Sequence, residues 1–171
     1  MIRLIPFHKK NIKIYFSLSF LILLSCSQDF NKSNFYDLPI SNQTIFEDIV
    51  DFSSFENNNI LLNFWFPSCP PCVYELEILD KINSKSTATK VIGIQVLGLD
   101  TKEDGKRMFM DKGISYPSVT DEKDQVVSTL DITVFPTTIL FDKNGKEVKR
   151  WLGIIDEELV FQSVKELEKP K

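Results

Sequence analysis

The chain has 171 residues, 43% of them apolar and 26% charged, with 20 Lys and Arg against 24 Asp and Glu. That length suits one globular domain with a core of its own and is too short for two comfortable ones. A net charge of −4 argues against nucleic acid and anionic lipid as partners, and no repeat with a period of roughly 20 to 50 residues points to a solenoid.

Arg3, Lys9, Lys10 and Lys13 precede the apolar run from Ile14 to Leu24, and no acid occurs among the first 25 residues. A basic start followed by a short apolar run is the pattern of an export signal. The rival, a permanent transmembrane helix, needs about 20 apolar residues, and this run stops short of that. Leu23-Leu24-Ser25-Cys26 resembles the lipobox of bacterial lipoproteins. The resemblance implies that residues 1–25 are a lipoprotein signal peptide and that Cys26 becomes the lipidated first residue, tethering the chain to a membrane. Ordinary signal cleavage, leaving Cys26 as a free thiol, is the alternative. Once the signal is gone the balance is 16 basic against 24 acidic residues, a net of −8, so lipid rather than charge would do the anchoring.

Residues 26–40 are mostly Ser, Asn, Asp, Lys and Gln, with Phe30, Phe35 and Tyr36 scattered among them, and are expected to be a tether. The domain is then 41–171. Thr44 to Phe55 fits either a short helix or a strand and turn.

Ile60 to Phe66 is a continuous apolar run of the length of a strand buried on both faces. Pro70 and Pro71 suit the first turn of a helix, which Val73, Leu76, Leu79 and Ile82 carry to about Asn83. Lys90 to Leu97 supplies a second buried strand. Glu103 to Lys112 reads as a helix stopped by Gly113, and a connection of that length between strands suits a parallel crossover. Thr137–Phe141, the turn Asp142-Lys143-Asn144-Gly145 and Lys146–Leu152 form a hairpin signal. Asp156 to Glu168 closes the chain as a helix. The order β-α-β-α-β-β-α predicts an α/β fold, a mixed central sheet flanked by helices on both faces.

Cys69-Pro70-Pro71-Cys72 lies between the first strand and the first helix. A zinc site takes three or four protein ligands, yet the one histidine, His8, is in the signal and the one further cysteine is Cys26, so no metal is expected. A structural staple closing so small a loop would sit at the low end of the usual ~2 to 4 kcal/mol. A reversible redox couple accounts better for the surroundings. Cys69 at a helix mouth meets unpaired N–H groups and the positive end of the dipole, which favour thiolate and make it the expected nucleophile. Cys72, one turn deeper, is the expected resolving cysteine. Pro70 and Pro71 restrict the loop between them. No cofactor is expected beyond this redox-active pair.

Asn63-Phe64-Trp65, the Cys-Pro-Pro-Cys loop, Tyr116 to Asp121, and Phe135-Pro136-Thr137-Thr138 followed by Phe141 to Gly145 together resemble the thioredoxin fold, more narrowly the TlpA/ResA-type membrane-tethered extracytoplasmic thiol–disulfide oxidoreductases. The resemblance runs from about Ile60 to the C-terminus. It implies a cis Phe135–Pro136 bond packed beside the two sulfurs, leaving the Phe135 backbone free to pair with an extended substrate segment. It also implies that Glu75, three residues past Cys72, moves protons for the buried thiol. Helical geometry puts that carboxylate on the side of the Cys72 sulfur, and burial would raise its pKa. The plainer alternative is a first-turn acid favoured by the helix dipole. Two residues depart from the pattern: Asn63 stands where many thioredoxins have aspartate, and Ser68 where most relatives have tryptophan. Ser68 could equally cap the helix.

The implied function is a lipid-anchored enzyme of the cell envelope that reduces disulfides of exported proteins, with apocytochrome c among the family's clients, fed by a membrane thiol-electron carrier. The alternatives are a disulfide-forming oxidase and a non-catalytic adaptor. Nucleic acid is not an expected partner.

Overall fold

The computed structural model describes residues 33–169. The expected signal, Cys26 and the first part of the expected tether lie outside those residues. Strand β1, Asn59–Trp65, is buried along its whole length because it has a partner on each edge and cover on each face. Strand β2, Thr89–Val96, runs parallel to it with Leu61 opposite Val91, and β3, Ser118–Asp121, runs parallel to β2. On the other edge β4, Thr137–Phe141, is antiparallel to β1, and β5, Glu147–Leu152, is antiparallel to β4. The order across the sheet is β3-β2-β1-β4-β5.

Alternation along β1 divides the core. Leu61 and Trp65 face helices α1, Pro70–Lys85, α2, Lys102–Lys112, and α4, Glu157–Glu168, through Leu76, Leu79, Phe109, Val160 and Val164. Ile60, Leu62 and Phe64 face the short helix α3, Gln125–Thr129, and the N-terminal segment. The chain therefore forms the expected α/β arrangement, a mixed sheet with helices on both faces. The hairpin is also as expected: the Asp142 carboxylate accepts from the N–H groups of Asn144 and Lys146, both at 2.9 Å.

Three segments differ from expectation. Strand β3 and helix α3 had no periodic signal, being only four and five residues long. Asp121, an acid at a strand end, is explained by its partners, since its carboxylate accepts from the N–H groups of Gln125, Val126 and Val127.

Residues 33–40, expected to belong to the tether, pack on the sheet instead. Asn34 Nδ2 donates to the Asn144 carbonyl and the Phe35 N–H to the Gly145 carbonyl, both at 2.8 Å, which fastens this segment to the hairpin turn. Gly145 has φ 77°, the left-handed region that favours glycine, and a Cβ there would also crowd the Asn34 amide and the Tyr36 ring. Phe35 is left 3% exposed among Phe52, Phe55 and Phe141, a burial that contributes about 2 kcal/mol. Polar composition hid this because a few apolar anchors are enough to seat an otherwise hydrophilic stretch.

Thr44 to Phe55, which fits either a short helix or a strand and turn, holds a little of each. Isolated bridges pair Gln43 with Ile49 and Thr44 with Val119, and a 3₁₀ turn spans Phe52–Phe55.

Candidate active site

β1 delivers the chain to the mouth of α1 through a tight turn in which the Cys69 N–H donates to the Phe66 carbonyl at 3.1 Å. Cys69 is the N-cap residue, and its Sγ accepts from the Cys72 N–H at 3.2 Å. Pro70 and Pro71 take the first helical positions, where a missing N–H loses no intrahelical bond. Cys69 and Cys72 are joined by a disulfide. Cys69 is 7% exposed and Cys72 fully buried, so Cys69 is the nearer of the two residues to solvent.

Ser68 does not cap the helix. Its N–H and hydroxyl both donate to Asp100 Oδ2, at 3.1 and 2.6 Å. A cleft of about 230 Å³ opens there, lined by Phe66, Ser68, Val96, Leu97, Leu99 and Asp100.

The Phe135–Pro136 bond is cis. The Pro136 carbonyl accepts from the Gly153 N–H at 2.8 Å, while the Phe135 N–H and carbonyl make no hydrogen bond among the described residues. The Phe135 ring lies edge-on to Phe66 at 5.3 Å and packs against the cluster that holds both cysteines.

Glu75 is fully buried one turn beyond Cys72. Its Oε1 accepts from the Thr138 hydroxyl and from Asn63 Nδ2 at 3.2 Å, and its Oε2 from the Ile155 N–H at 3.4 Å. Burial pushes its pKa from 4.5 up to about 7, with the bonds from Thr138 and Ile155 acting in the opposite direction. Tyr116, also buried, has its hydroxyl without a partner among the described residues, and its pKa is raised by burial and by the charges of Glu75 and Asp80. Among the described residues, no three His, Cys, Asp or Glu side chains gather to hold a metal ion.

The fold thus brings Cys69, Cys72, Pro70, Pro71 and Glu75 onto one helix start, and sets Phe135 and Pro136 just before β4, with the Phe135 ring against the cluster that holds both cysteines. Sequence reasoning did not assign Thr138 or Ile155 to the site. Thr138 belongs to the strand run that follows Pro136, and a hydroxyl in a strand carries no periodic signal. Ile155 acts through its backbone, which no side chain advertises.

Residues 47–169 match the model of the Redoxin family. The chain belongs to that family, among its TlpA/ResA-type thioredoxin-like members. This redoxin is 30% identical over 125 residues to the thiol-disulfide oxidoreductase ResA of Halalkalibacterium halodurans, covering 71% of this chain and 69% of that one. It is 26% identical over 107 residues to ResA of Bacillus thuringiensis, where the match spans 60% of the relative's length. Among solved structures, a secreted thiol-disulfide isomerase from Corynebacterium glutamicum superimposes with a TM-score of 0.68 at 26% identity, covering 76% of this chain and 84% of that one. With Cys69 and Cys72 as its Cys-x-x-Cys pair, the redoxin is a thiol-disulfide oxidoreductase.

Proposed function

We propose that this redoxin is anchored by lipid on Cys26 outside the cytoplasm and reduces disulfides of exported proteins. The observation that carries this reading is the placing of the pair at the mouth of α1, with Cys69 as N-cap at 7% exposure and Cys72 fully buried one turn below. In the reduced state the Cys69 thiolate attacks one sulfur of a client disulfide, which breaks and releases a client thiolate that takes up a proton. Cys72 gives its proton to the Glu75 carboxylate, and its thiolate attacks Cys69 Sγ. The mixed disulfide breaks, the Cys69–Cys72 disulfide forms, and the second client sulfur leaves as thiolate. Two electrons have passed to the client, and a membrane thiol-electron carrier returns them by the same exchange in reverse. The unpaired Phe135 backbone supports docking of an extended client segment at this point. Haem-binding cysteines of apocytochrome c are a fitting client.

The full chain, reduced chemically, is expected to reduce insulin disulfides, and Cys72→Ser to trap clients as mixed disulfides in its native host. Failure of both would transfer the reading to a non-catalytic adaptor. A reduction potential near the thioredoxin value of about −270 mV supports the reductant, and one near about −120 mV a disulfide-forming oxidase. Radioactive fatty acid should label the wild type and not Cys26→Ala.

A further inference from the structure

Asn63 and Thr138 stand directly opposite each other in the β1–β4 pair, so their side chains leave the sheet together toward α1. Both are fully buried. Asn63 Nδ2 donates to Thr138 Oγ1 at 3.0 Å and to Glu75 Oε1 at 3.2 Å, and the Thr138 hydroxyl donates a hydrogen bond to the same Oε1. This orientation leaves Asn63 Oδ1 without a partner among the described residues, an unfavourable position for a buried acceptor. The reversed amide would aim that oxygen at two other oxygens. The arrangement accepts one orphaned atom in order to present donors to one carboxylate oxygen.

No Lys or Arg pairs with Glu75 among the described residues. Around it stand Asn63 and Thr138 from the sheet, the Ile155 N–H from the β5–α4 connection, Tyr116 from the segment before β3, and Cys72 on its own helix. None supplies a positive charge, so hydrogen bonds do the work of stabilising the ionised form. An aspartate at position 63 would instead set a second carboxylate beside the first, and the two could not readily ionise together.

We propose that Asn63 and Thr138 are positioning residues that fix where Glu75 ionises, keeping its proton affinity in the range where it can exchange a proton with a buried thiol. The second half of this inference rests on the proton-carrying role given to Glu75 above.

The test is the infrared band of the protonated Glu75 carboxyl in the oxidised full chain, followed from about pH 4 to 9 and assigned by its loss in Glu75→Gln. Thr138→Val and Asn63→Leu each remove a donor to the carboxylate and should raise the midpoint by about one pH unit. Thr138→Ser should restore the wild-type midpoint, and Asn63→Asp should split the titration into two coupled steps, one above the wild-type value. A midpoint that stays at the wild-type value in Thr138→Val and Asn63→Asp while the melting temperature falls would overturn the proposal, leaving both residues as packing alone. If Asn63→Leu does not fold, the Val and Ser variants at Thr138 decide. A Glu75→Gln variant whose thiols react as in wild type would remove the proton-carrying role. The midpoint shifts would still decide the positioning role.

Discussion

The Thr138 hydroxyl donates to Oε1 of Glu75, tying the middle of β4 to α1 one turn beyond Cys72. The bond joins the strand that follows the cis proline to the helix that carries the disulfide, so the two halves of the site share a buried acid. It works against burial, which drives the acid toward its neutral form.

Stability should therefore depend on pH through Glu75. Its pKa is raised on folding from 4.5 to about 7, so between those values the folded chain holds a proton that the unfolded chain has lost. The contribution is present in full below pH 4.5 and is lost as pH rises through about 7, a change of about 3 kcal/mol. Urea unfolding of the oxidised protein should show wild type losing stability relative to Glu75→Gln across that window. Parallel curves for the two proteins would contradict it.

In the reduced protein, the pH profile of Cys69 alkylation is expected to change when Glu75 becomes Gln, because a titrating acid one turn from Cys72 is coupled to the thiols. Superimposable profiles would take Glu75 out of the mechanism.

Asp100 holds the residue before the nucleophile by two hydrogen bonds and places a carboxylate beside the loop. Asp100→Asn keeps an acceptor and removes the charge. It should favour the Cys69 thiolate, stabilise the reduced form and raise the reduction potential by roughly 10 to 20 mV, the scale of a weak solvent-exposed charge interaction. Equilibration with glutathione buffers measures it, and a lower potential would reverse the assigned sign.

Phe35→Ala should destabilise the fold by about 3 kcal/mol, seen as a lower urea midpoint with the slope unchanged. A change within about 0.5 kcal/mol would mean that the segment before residue 41 does not contribute to the core.

Much of the site was legible because local rules fix it. A run such as Ile60 to Phe66 is too apolar to lie at an edge, and two prolines after a cysteine suit a helix start. β3 and α3 were not legible, because elements of four and five residues are stabilised by neighbours rather than by a period of their own. The seating of Phe35 was hidden for a related reason, as its partners come from the β4–β5 turn and a 3₁₀ turn.

The sequence by itself determined the strand-to-helix junction, the cysteine pair at its mouth and the acid one turn further on, because these depend on spacing along a single stretch of backbone. Only the tertiary structure decided what surrounds that acid. Asn63 comes from β1, Thr138 from β4 and the Ile155 N–H from the connection before α4, and they converge on Glu75 through sheet register and chain return. The ionisation of a buried group depends on donors supplied across space, and chain order does not encode that distance.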